Sequence, residues 1–266
     1  MIQNKNISIK IQFEHITLQQ CYPLVLDYLS TLRGVIDDFL EKRLLTADWY
    51  HIKIEDKICG FFTIWEAKTI TCFYLPVSQY VQVIFEHILQ QFQIHSALVT
   101  TGDQLFLSLC LDFHKKIELQ AYLFDGTQKY EVAPPKYPRN QLELVTSAQL
   151  SKMRELTGTF FDEFTDEDFR AQKQFFYCLR HQQQPLGYGV IVPNQLQTDY
   201  CCCGMITLAA FRRQGVGRSI QMHLADICRE QHKIPISGCW YQNIASKSTI
   251  ESAGRYSKTR TLHILF

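Results

Sequence analysis

The chain has 266 residues, 46% of them hydrophobic, and its 27 basic and 26 acidic side chains leave a formal net charge of +1. That length holds one large core or two small ones, and the balanced charge offers no footprint for nucleic acid and no charged tail for a partner. No stretch approaches the roughly 20 apolar residues of a membrane span, and the N-terminus lacks a signal-peptide apolar region, so a cytoplasmic chain without membrane contact is expected.

In chain order, residues 8–13 alternate as a strand, and a helix follows from Thr17. A short acidic, aromatic helix is expected at Asp37-Asp38-Phe39-Leu40. Trp49-Tyr50 and the run 60–64 form a hairpin turning at Asp56-Lys57. The strand 70–75 then meets its helix at Ser78, with only Pro76-Val77 between. Three prolines among residues 133–140 break helix and sheet alike and mark an extended linker.

Beyond the linker the same order recurs. Residues 141–145 alternate, a helix follows from Ser147, a short acidic, aromatic helix is expected over 162–169, and Phe176-Tyr177 pairs with the run 187–191 around a turn at Gln183-Gln184. The chain therefore reads as two divergent copies of one unit, residues 1–132 and 141–266, joined by the linker 133–140. Cys201-Cys202-Cys203 shows no metal-chelating spacing, and the ten cysteines are expected to be reduced and mostly buried, with no metal.

The copies differ where the next strand ends. An apolar run closing on Ile206-Thr207-Leu208 leads into Arg212-Arg213-Gln214-Gly215-Val216-Gly217-Arg218-Ser219 and then a helix over 220–231. A strand emptying through a glycine-bearing loop into a helix leaves free backbone N–H groups at the positive end of the helix dipole, which binds an anion. Gly215 and Gly217 admit the main chain close to a phosphate, and Arg213 and Arg218 add rim charge. Neither the Walker spacing nor G-x-G-x-x-G occurs. A strand over 235–241, a helix from Asn243 that stops at Gly254, and a last strand over 256–266 follow.

These residues resemble the GNAT superfamily of N-acetyltransferases, whose acyl-CoA loop R/Q-x-x-G-x-G/A is here Arg212 to Gly217, and whose N-x-x-S helix is here Asn243 to Ser246. The resemblance covers about residues 141–266. It implies a pair of α/β folds with mixed sheets, acetyl-CoA as co-substrate, and a cofactor site in the second half only, because the first has no pyrophosphate loop. It implies that the backbone of residues 214–219 holds the pyrophosphate, that Asn243 and Ser246 lie near the pantetheine arm, and that free N–H groups around Ile206, Thr207 and Leu208 face the thioester. The first half would then form one wall of the acceptor cleft or serve only as a stabilising partner.

Two positions depart from the family pattern. The Tyr that protonates the leaving thiolate in many members is Ile250 here, and the Phe after Gly254 is Arg255. Candidates for the general acid are Tyr241, Tyr256 and Cys203. Candidates for the base are Glu163, Asp162 and Asp199, or water, since an alkyl amine must lose a proton before attacking. The expected activity is N-acetyl transfer from acetyl-CoA to a primary amine by direct attack, with a small amine as acceptor. A protein acceptor, or a CoA-binding sensor without turnover, are the alternatives.

Overall fold

A computed structural model describes residues 9–76, 79–127 and 130–266. Ser8, where the first strand was expected to begin, lies outside the described residues, as do Val77 and Ser78 at the expected strand-to-helix junction. The chain forms two compact units, one of Met1–Gly34, Leu40–Gln120 and Arg260–Phe266, the other of Val35–Phe39 and Ala121–Thr259. Among the described residues no helix is long and apolar enough to cross a membrane.

In the first unit, β1 (Ile11–Ile16), β2 (Asp48–Ile54), β3 (Lys57–Trp65) and β4 (Thr69–Tyr74) pair antiparallel in order, and β4 pairs parallel with β5 (Ser96–Thr100). Thr17 starts α1 (Leu18–Thr31) with a capping box, its backbone N–H donating to Gln20 Oε1 at 2.8 Å. Helices α3 (Val81–Gln91) and α4 (Gln104–Phe113) contribute Phe85 and Phe106 to a core that also holds Phe62 and Phe73. The first-half helix starts at Val81, three residues later than expected.

In the second unit, β7 (Leu142–Leu144), β8 (Phe175–His181), β9 (Gln184–Pro193) and β10 (Tyr200–Thr207) are antiparallel neighbours, and β11 (Ile234–Trp240) runs parallel to β10. Residues 121–125 of β6 (Lys116–Asp125) close this sheet against β11. Helices α5 (Leu150–Thr157), α6 (Asp166–Arg170), α7 (Val216–Glu230) and α8 (Ile244–Ser252) complete the unit. The acidic segment of the first half is helical as α2 (Asp38–Leu45). Helix α7 buries a stripe of Val216, Ile220, Leu224, Ile227 and Cys228 at helical spacing. It lies close on β9 because a Cβ at Gly189 would come within 2.7 Å of Ile220 and 2.8 Å of Leu224.

Both hairpins turn one residue earlier than expected. Glu55 and Asp56 have φ of 49° and 63°, and Gln182 and Gln183 have 49° and 67°. Two successive positive φ values are the type I′ geometry whose twist matches flanking strands, so Lys57 and Gln184 already belong to the strands.

The compact units also depart from the linear division at residues 133–140. In β12 (Tyr256–Leu265), residues 261–265 pair with β5 of the first unit, while residues 121–125 pair with β11 of the second. The terminal strand of each copy is thus exchanged. An alternating pattern specifies a strand and its buried face but not which sheet edge it joins.

Candidate functional site

Strand β10 pairs with β9 along its length, from Cys201 opposite Pro193 to Thr207 opposite Gly187. It pairs with β11 only at Tyr200, Cys201 and Cys202. Beyond Cys202 the two parallel strands part, and one side of β10 is left without a ladder. Successive residues aim their main-chain groups to opposite sides. The Asp199 carbonyl accepts from Ile234 on the β11 side, and the Tyr200 carbonyl accepts from Asn194 on the β9 side. Cys203, Met205 and Thr207 therefore open onto the gap, while Ile206 and Leu208 turn to β9. The Leu208 N–H donates to the Leu186 carbonyl at 3.0 Å. Of the three expected donors only Thr207 faces the gap, and Met205 joins it. The strand was legible in the sequence, but which of its main-chain groups face the gap was not.

A turn of 3-10 helix at Ala209–Phe211 leads into the loop. Arg213 has φ 57° and Gly215 φ 82°, and α7 begins at Val216. No side chain caps this helix, and the Ser219 N–H is bonded to the Gly215 carbonyl at 3.0 Å. The N–H groups of Val216, Gly217 and Arg218 precede that bond and point out of the helix end. A Cβ at Gly217 would lie 3.0 Å from Thr207 Oγ1, 3.1 Å from Met205 Sδ and 3.2 Å from a Thr249 methyl. The cradle is thus made of backbone.

Side chains around it are used differently than expected. Ser219 is fully buried, its hydroxyl donating to the Gly215 carbonyl at 2.9 Å and accepting from the Tyr137 N–H at 3.2 Å. Arg218 donates to the carbonyls of Ser252 at 2.8 Å, Pro134 at 3.0 Å and Ala133. His223 Nε2 donates to the Tyr137 carbonyl at 2.7 Å. Residues 133–137 of the expected extended linker are therefore a strap fastened along α7, whose side chains donate to the carbonyls of Ala133, Pro134 and Tyr137. The strap brings Lys136, whose Cβ lies 3.5 Å from the Cβ position of Gly215. Nothing in the loop's own sequence pointed to that cation. Gln214 donates to the Ala210 carbonyl at 3.1 Å, and Arg212 and Arg213 remain exposed at the rim.

The gap widens into a cavity of about 970 Å³. Ile206, Thr207, Arg212, Arg213, Gly215, Val216, Gly217, Arg218, Asn243 and Ser246 line it, together with Met205, Phe160, Gly238, Trp240 and Ile250. Leu208, Gln214 and Ser219 do not. Asn243 caps α8, its Oδ1 accepting from the Ser246 N–H at 3.0 Å, so the N-x-x-S pair is first a helix start. Ile250, at the position of the family tyrosine, presents an apolar wall.

The expected acid and base candidates Glu163, Tyr241 and Tyr256 are not brought to the cavity. Glu163 and Asp162 are exposed, and Asp199 lies at the opposite end of β10 from the gap. Tyr241 stacks on Tyr122 with ring centroids 4.6 Å apart, and Tyr256 meets Tyr130 edge-on at 5.6 Å. Cys203 turns its thiol to α7, 3.6 Å from the Cys228 sulfur. All ten cysteines are free, and among the described residues no group of three or more His, Cys, Asp or Glu is placed to hold a metal.

Where β10 and β11 part, a buried polar network replaces the ladder. Ser237 Oγ donates to the Cys203 carbonyl at 2.7 Å, and Gln221 Nε2 donates to the same oxygen at 3.3 Å. Arg255 donates to Ser237 Oγ at 2.9 Å, to the Gln221 carbonyl at 3.2 Å and to Gln221 Oε1. Burial holds the Arg255 guanidinium below its ordinary pKa. Sequence reasoning marked Arg255 only as a missing Phe.

A model of the acetyltransferase (GNAT) domain matches residues 17–127, and a model of the acetyltransferase (GNAT) family matches residues 143–254. Comparison with curated proteins returned no match. Among solved structures, a GNAT-family acetyltransferase from Colwellia psychrerythraea is 19% identical, with 96% of this chain and 99% of that chain covered and a TM-score of 0.81. A tandem GNAT protein from the clavulanic acid biosynthesis pathway is 10% identical, with coverage of 97% and 98% and a TM-score of 0.62. A GCN5-related N-acetyltransferase from Sphaerobacter thermophilus is 7% identical, with coverage of 96% and 95% and a TM-score of 0.63. At these identities the structures speak for the fold alone. The two matched segments carry the family, and the chain belongs to the GNAT acetyltransferases, with two GNAT domains in tandem and the activity of an acyl-CoA-dependent acyltransferase.

Proposed function

We propose that the second unit transfers the acetyl group of acetyl-CoA to the nitrogen of a small primary amine, by direct attack on the thioester, and that the protein works in the cytoplasm. The observation that carries this reading is the unpaired side of β10 from Cys203 to Thr207, opening into the bare N-terminus of α7. The helix end takes the pyrophosphate. The pantetheine arm then lies in the gap, and the N–H groups of Met205 and Thr207 face the thioester, where the carbonyl oxygen gains charge as the amine adds. The cofactor is assigned to the second unit alone, since residues 75–80 of the first contain no glycine.

An alkyl ammonium with a pKa of about 10.4 must be deprotonated before attack. The cavity lining contains no Asp or Glu among the described residues, which supports water as the immediate proton acceptor. A small acceptor suits a chain of net charge +1, which has no net negative charge to attract a lysine-rich protein tail.

The test is calorimetric titration with acetyl-CoA, followed by thiol release in the presence of a panel of small amines and of lysine-bearing proteins, the latter checked by intact mass. Release with small amines alone is expected. Release only with proteins would replace the acceptor, and binding without release from any amine would refute acetyl transfer.

A further inference from the structure

Transfer as proposed above expels CoA as a thiolate, and the inference here rests on that reading. The amine nitrogen forms a bond to the carbonyl carbon, the C–S bond breaks with its electron pair on sulfur, and the amine proton passes to water. The negative charge must then be stabilised in a gap where position 250 offers a hydrocarbon wall.

Arg255 is 2% exposed, and its hydrogen bonds go to a hydroxyl, a carbonyl and a side-chain amide, all neutral. Its Nε has no hydrogen-bond partner, and among the described residues it forms no ion pair. A buried charge without a counter-charge is costly and is retained where something compensates it. The titratable groups acting on it are the thiols of Cys202 and Cys203 from β10 and of Cys228 from α7, and the guanidinium of Arg229, which opposes its charge. Gln221 and Cys203 both line the cavity, so the guanidinium lies one hydrogen bond behind the wall. The Ser237 hydroxyl relays Arg255 to the Cys203 carbonyl, the first main-chain acceptor of β10 left behind by β11.

We propose that Arg255 is a positioning residue of the acyl-transfer site, which fixes the parting of β10 and β11 through Ser237 and Gln221 and supplies the positive charge that stabilises the departing CoA thiolate. Position 255 thereby serves electrostatically the step that position 250 cannot serve as an acid.

The experiment uses the full chain loaded with reduced CoA, titrating the thiolate absorbance from neutral to alkaline pH with desulfo-CoA as blank. Binding of CoA is all it requires, so a failure of acetyl transfer leaves it readable. In the parent protein the bound thiol is expected to titrate about one pH unit or more below the value of about 8.5 of a free thiol. Arg255→Met should return it to the free value and lower kcat about tenfold, the equivalent of one pH unit, with KM for the acyl donor little changed. Arg255→Lys, which keeps the charge, should retain part of the shift. Ser237→Ala should keep the shift but slow turnover by loosening the Cys203 carbonyl. An unshifted thiol in the parent would overturn the proposal without any variant, and so would equal thiol pKa values in the parent and Arg255→Met. Should Arg255→Met not fold, the parent and Arg255→Lys titrations still decide.

Discussion

Replacing Gly217 with Asp sets a carboxylate inside the anion cradle at the second residue of α7. A Cβ there must push aside Thr207 Oγ1, Met205 Sδ and a Thr249 methyl, which stand 3.0 to 3.2 Å away. Such crowding costs about 1–3 kcal/mol, and the neutral isostere Gly217→Asn isolates it. The charge adds repulsion of about 3 kcal/mol against a phosphate charge roughly 5 Å away at an effective dielectric of about 20. CoA affinity should therefore fall about tenfold in Gly217→Asn and about a hundredfold further in Gly217→Asp, a gap that narrows at high salt. A negative charge in the first helical turn favours the free helix, so Gly217→Asp should melt no lower than Gly217→Asn and lost binding cannot be attributed to unfolding. Calorimetric CoA titration at two ionic strengths, beside thermal melts, measures all of this. A folded Gly217→Asp protein that binds CoA as tightly as the parent, or as tightly as Gly217→Asn, would refute the phosphate cradle.

Three further outcomes are expected. Lys136→Ala should weaken CoA binding up to about fivefold, the size of an exposed charge contact, and a Kd unchanged by the substitution at low salt would show that the strap cation faces elsewhere. Asn243→Ala removes the cap on α8 and should cost about 1 kcal/mol of stability, whereas Asn243→Asp keeps the cap; equal urea midpoints for the two would contradict that role. In the first unit, burial raises Asp103 from 3.8 to about 6, while its carboxylate accepts from Tyr28 at 2.9 Å and from the Phe106 N–H at 3.1 Å. The folded state holds that proton more tightly than the unfolded chain, so the stabilisation is full below the unfolded value and is lost as pH rises through about 6, a change of about 3 kcal/mol. Asp103→Asn should remove that slope in urea denaturation at several pH values, and parallel curves for the parent and the variant would refute it.

Much of the candidate site's geometry was legible because it is local. The glycines of the loop, the Asn243 cap and the apolar stripe of α7 each act within a few residues, and their spacing states their geometry. The hairpins were legible to within one residue, since the strand pattern marks the arms but the turn is fixed by which two residues take positive φ.

What tertiary structure decided lies at longer range. Which of Ile206, Thr207 and Leu208 faces the gap depends on the register of β10 against β9, and a one-residue change of phase reverses every donor. Ser219 and Arg218 belong to the loop in sequence but are taken by residues 133–137, more than 80 positions away. Glu163, Tyr241 and Tyr256 had suitable chemistry, yet a side chain's chemistry does not state where its element points. Conversely, Arg255 looked like a broken motif until the fold placed Gln221 and Ser237 around it. Neighbouring residues alone set the elements, their repetition and the glycine loop that opens onto an uncapped α7. Only the folded chain decided the phase of β10, the exchange of the last strands and the company of Arg255, because these depend on contacts between residues far apart along it.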